Sequence, residues 1–166
     1  MYQDPIIQAY IDLLKTKTKG AIETFFQGEP IRVAVSDLPC AFISKRQTRI
    51  AAVSNADDEH GVALSITVIT DIRQDFNTDE GAQNAVAGIS TLYDIIEGRN
   101  EDMTLKDTSI LDILRSNQLV SAAYGLRTDL QTITLADYGL TLRDRNAEQW
   151  SIEARVDIVA GLHQVR

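Results

Sequence analysis

Nucleophilic catalysis needs a nucleophile beside a base, and few residues here could supply either: Cys40, His60 and His163. Cys40 lies in LPCAF at the entry to an apolar run, where a free cysteine acts as a small hydrophobe. His60 falls in a polar stretch and His163 close to the last residue of the sequence, so both read as solvated side chains. Neither GxSxG nor HExxH occurs, and no GxxxxGK[ST] or GxGxxG offers a phosphate cradle. The run Asp57, Asp58, Glu59 and His60 has donors that suit a hard cation. Calcium loops, however, place ligands at alternate positions around a glycine, whereas consecutive residues point in different directions. A solvated hairpin tip is the expectation. Two carboxylate pairs also have plain accounts: Asp79 and Glu80 suit a first helical turn, and Glu101 and Asp102 a polar loop. The reading is no enzyme, no cofactor and no metal.

The composition bounds the partners. With 166 residues the chain fits one domain, residues 1–166, able to bury a core without disulfide or metal. Sixteen Lys and Arg against 24 Asp and Glu give a net charge of −8, which opposes general binding to a phosphate backbone. The small basic groups, Lys15, Lys17 and Lys19, then Lys45, Arg46 and Arg49, are not interleaved with aromatics as a single-strand platform would be. The start, MYQDPIIQAYIDLLK, has no basic leader before an apolar run, and no stretch reaches the roughly 20 apolar residues of a membrane span. A single cysteine suits a reducing compartment, and the cytoplasm is the expectation.

Spacing then places the elements. Asp4 followed by Pro5 starts a helix expected to run to about Phe26, with Ile7, Ile11, Leu14, Thr18, Ala21, Ile22 and Phe25 on one stripe. Ile6, Tyr10 and Leu13 flank that stripe and widen the apolar surface beyond one sheet contact. From residue 31 to residue 72 the period becomes two: IRVAV, CAFIS, RIAAV and VALSITVITDIR, with turns expected at Lys45–Thr48 and Asn55–Gly61. Asn77 and Glu80 open a second helix carrying Ala82, Val86, Ile89, Tyr93 and Ile96, ending near Gly98. SILDILRS is a short apolar helix or turn after a polar loop, and residues 119–126 are ambiguous between strand and loop. LQTITLADYGLTL and EQWSIEARVDIVAGL return to strands through the turn-forming RDRN. In the last of these Trp150, Ile152, Ala154, Val156, Ile158 and Ala160 alternate with polar residues, so one face is buried. This order predicts an α+β domain, a largely antiparallel sheet with helices packed on one face.

The element order resembles the tail-terminator and tail-completion proteins of long-tailed bacteriophages, typified by the lambda tail terminator. It is carried by the helix DPIIQAYIDLLK, the region CAFISKRQTRIAAV, the strand ALSITVITDIR, the helix AVAGISTLYDII and the closing EQWSIEARVDIVAGL. SILDILRSN before the last strands departs from it. The resemblance implies a structural ring, usually a hexamer, that caps the tail tube and joins it to the head-tail connector, with no catalytic residues. Partners would be the chain itself, the tail tube protein and the connector protein, with DNA passing through unbound and no membrane. Its place would be the virion tail, assembled in the bacterial host cytoplasm.

On this reading Ile6, Tyr10, Leu13, Lys45, Arg46 and Arg49 are candidate protein-interface residues, and Asp57, Asp58 and Glu59 candidate channel lining. The competing reading is a non-enzymatic cellular adaptor or chaperone that binds one partner through a sheet edge or helix groove, monomeric or dimeric alone. A small hydrolase or nucleotide-binding enzyme ranks third, for want of site chemistry.

Overall fold

The computed structural model describes residues 3–72, 86–142 and 150–165. The Asp4 carboxylate accepts the backbone N–H groups of Ile6 at 3.0 Å and Ile7 at 3.3 Å, and Pro5 opens helix α1, Pro5–Lys17. The helix stops well short of Phe26. Lys19 (φ 52°) and Gly20 (φ 86°) both adopt left-handed backbone, which ends the helical path after the cap at Thr18. Ile22 is still buried, but from outside the helix, and Phe25 lies in strand β1, Thr24–Gln27.

Residues 31–35 are not a strand. Ile31 is 97% exposed, Val33 is buried, and Val35 opens a single 3-10 turn in which the Asp37 carboxylate accepts the Ala34 N–H. CAFIS and RIAAV prove to be one strand, β2, Cys40–Ala52. The polar KRQT that reads as a turn is instead a bulge: the register against β3, Asp57–Asp71, shifts between Lys45 and Gln47 and leaves Arg46 as the extra residue. The true turn is residues 53–56, where the N–H groups of Val53 and Ser54 both reach the Asp57 carbonyl.

Helix α2, Val86–Glu97, ends next to Gly98 as expected; of the expected stripe Ile96 is buried and Ile89 packs half-buried against the core, Leu92 and Ile95 extend the buried face, and Tyr93 is 45% exposed. Helix α3, Ile110–Ser116, is capped by Ser109. Strand β4, Leu119–Ser121, settles part of the ambiguous stretch, and Leu126 opens β5, Leu126–Leu142, ahead of the expected Leu130. Strand β6 is Trp150–Val165. The Asn77–Glu80 capping box and the RDRN turn lie outside the described residues.

Among the described residues six strands form one sheet in the order β1-β2-β3-β6-β5-β4, parallel between β1 and β2 and antiparallel in the other pairings. The fold is α+β. Ile43, Leu64, Ile66, Val156 and Ile158 face the helices and join Ile11, Leu14, Leu92, Ile96 and Ile113 in the main core. Val33, Cys40, Phe42 and Ile69 make a smaller cluster on the other face. Helix α1 touches β1 and β2 at one end of the sheet order and β4 at the other, so the sheet curls around it.

Candidate assembly interface

β1 covers β2 only from Cys40 to Ile43. The last backbone bond along this edge runs from the Gly28 N–H to the Ile43 carbonyl at 2.7 Å, after which Gly28 (φ 80°) turns the chain away. From Lys45 to Ala56 every residue is exposed, including Ile50 and Val53 at 60% each. The distal parts of β2 and β3 and the end of β6 therefore form a three-stranded blade that extends past the helix layer. Its β2 edge has no neighbouring strand among the described residues.

The expected interface residues fall into two groups. Tyr10 is a correction: it is fully buried, and its hydroxyl and that of Thr128 share a hydrogen bond of 2.8 Å. Ile6 and Leu13 pack half-buried against the same core. The wide apolar surface of α1 is used by the curled sheet, which reaches the helix from both ends.

On β2, the Lys45 ammonium grips the Asp4 carboxylate and ties the base of the blade to the start of α1. Burial pulls the Asp4 carboxyl upward, but the bond from Lys45 and those from the Ile7 and Ile6 N–H groups outweigh it and hold it below its usual value. Arg46, at the bulge, and Arg49, opposite Gly61, are exposed and make no ion pair among the described residues.

Asp57, Asp58, Glu59 and His60 lie in β3 and not in a loop, because each pairs with β6 and all but Asp57 also with β2. Strand alternation puts Asp58 and His60 on the helix side of the blade and Asp57 and Glu59 on the other. The channel-lining trio does not share one face.

The candidate nucleophile and bases are not brought together. Cys40 is buried at one end of β2, and Ile50, the partner of His60, stands roughly 30 Å further along at about 3.3 Å per residue. His163 pairs with Glu59 and so faces the opposite side of the blade from His60. Among the described residues no group of three or more His, Cys, Asp or Glu is placed to hold a metal ion, and no helix is long and apolar enough to cross a membrane.

Two grooves have no signal in the sequence, because each forms between segments that periodicity treats separately. One, of about 730 Å³, runs between α1 and β1, with Ile11, Phe25 and Phe26 among its apolar lining and Asp12, Glu23 and Glu29 on its rim. The other, about 780 Å³, follows α2 past Tyr93, Asp94, Glu97, Arg99 and Lys106. Its charges are matched internally, Lys106 with Asp94 and Arg99 with Glu97. Beside it, Tyr138 donates to Glu97 at 3.0 Å and meets Tyr93 edge to face, and burial followed by that carboxylate raises its ionisation.

No family model matches the chain, and no curated protein matches it. The chain is similar to one chain of the virion of the native gene transfer agent (GTA) particle. The two are 16% identical, with 97% of this chain and 92% of that chain covered and a TM-score of 0.29.

Proposed function

We propose that the chain is a structural virion subunit that assembles with copies of itself into a closed ring, a hexamer, which caps a phage-like tail tube and joins it to the head-tail connector. The blade carries this reading. A strand edge with no neighbour among the described residues, beside exposed Ile50 and Val53, is a liability in a monomer and an asset where another subunit covers it. The element order that resembles tail terminators supports the same assignment. Its partners are then its own copies, the tail tube protein and the connector protein, its place is the virion tail, and DNA passes without specific binding.

Negative-stain micrographs of the purified protein, alone and with tail tube protein, test this. Closed rings of one size are expected. A protein that stays monomeric in both preparations would instead fit an adaptor that captures a single partner strand, and would overturn the ring.

A further inference from the structure

Two surfaces of the molecule carry opposite charge and matching apolar character. The exposed part of β2 from Lys45 to Ala52 holds Lys45, Arg46 and Arg49 and no acid. Lys45 is engaged by Asp4, which leaves Arg46 and Arg49 to meet a partner. The groove between α1 and β1 carries exposed Asp12, Glu23 and Glu29 against one lysine, Lys15. Its lining includes half-buried Phe25 and Phe26, while the blade offers exposed Ile50 and Val53. A groove of about 730 Å³ lies in the size range of clefts that hold ligands and peptides.

Charge decides among the occupants. Two blades paired edge to edge about a two-fold axis would set Arg46 and Arg49 against their own copies, and like charges across an interface are strongly disfavoured. The α2 groove is neutralised by its own ion pairs. We propose that the blade of one copy seats in the α1–β1 groove of the next, Arg46 and Arg49 meeting the acidic rim and Ile50 and Val53 covering Phe25 and Phe26. The contact joins two different patches, so it propagates head to tail and yields a ring where the rotation closes. It rests on the ring reading above and names the surfaces that build the ring.

Charges on an edge strand also serve simply to prevent aggregation. Such a guard needs no acceptor, and a charge swap separates the two roles. R46E/R49E and E23K/E29K change exposed side chains, and unchanged circular dichroism and melting confirm that each variant folds. Light scattering after size exclusion is expected to show that each pair raises the concentration for half-assembly about a hundredfold or more, while the quadruple variant recovers most of the loss. Wild-type assembly by R46E/R49E would overturn this contact and leave the ring reading standing. Loss in both pairs without recovery in the quadruple variant would overturn the groove as acceptor. A wild type that is monomeric even with tail tube protein would overturn both readings.

Discussion

Burial pushes the ionisation of Tyr10 up to about 12, against the opposing pull of its bond to Thr128. A phenol whose folded value is raised contributes stability that is complete below its unfolded value near 10 and lost as pH rises through the folded one. Tyr10→Phe should therefore flatten the fall of stability between about pH 10 and 12. At neutral pH it should cost about 1 to 2 kcal/mol in urea unfolding, because the buried Thr128 hydroxyl loses its partner. Asp4 has the opposite sign: its lowered carboxyl contributes stability above its unfolded value, lost as pH falls through the folded one. Asp4→Asn keeps the cap and removes the charge, so the acid side of the stability profile should flatten. Asp4→Ala loses the cap as well, at about 1 kcal/mol. Acid titrations of both variants followed by circular dichroism check this. The cap was legible in Asp4-Pro5, and Cys40 in its apolar neighbours. The burial of Tyr10 was not, since helical spacing gives a residue its angle on α1 but not how far a sheet curls around that helix.

Strand β6 was the most legible element because its alternation serves one buried face. Ile152, Ala154, Val156, Ile158 and Ala160 all lie in the main core, while the Trp150 side chain lies outside the described residues. Ile158→Ala should cost roughly 2 to 5 kcal/mol, and Gln164→Ala on the exposed end of the same strand no more than about 0.5. Equal shifts of the two urea midpoints would reject the face assignment. Strand β2 was legible only where it is buried. Past Ile43 both of its faces meet water, so KRQT has no apolar alternation to show and its composition imitates a turn. Helix α1 failed in the other direction: Ala21, Ile22 and Phe25 continue the helical spacing by coincidence, and the left-handed Lys19–Gly20 pair overrides it. Local backbone conformation outranks periodicity there, and Phe25 is released to line the groove beside β1.

At the scale of the whole molecule, net charge bears on what a ring of this chain would hold and what it would let pass. The chain carries a net −8, yet the β2 edge of the blade is basic, so the acidic excess is concentrated on the remaining surface. A ring that seats Arg46 and Arg49 against the acidic rim would take cations and acids off the free surface together, and the net −8 of each copy would still make the wall acidic on balance. A phosphate backbone gains affinity by shedding its condensed counterions when basic groups neutralise it, so an acidic wall would repel it and DNA would slide without sticking. Asp57 and Glu59, on the blade face turned away from the helices, are the candidates for that wall, and Asp58 faces the other way. The variant D57K/E59K should form rings in micrographs while slowing DNA ejection or lowering infectivity, and the defect should ease as salt screens the added lysines. Normal ejection by particles carrying D57K/E59K would take these residues out of the channel. A basic channel in an assembled ring would defeat the electrostatic argument itself, because passage would then have to tolerate an attraction that chain charge alone gives no reason to expect.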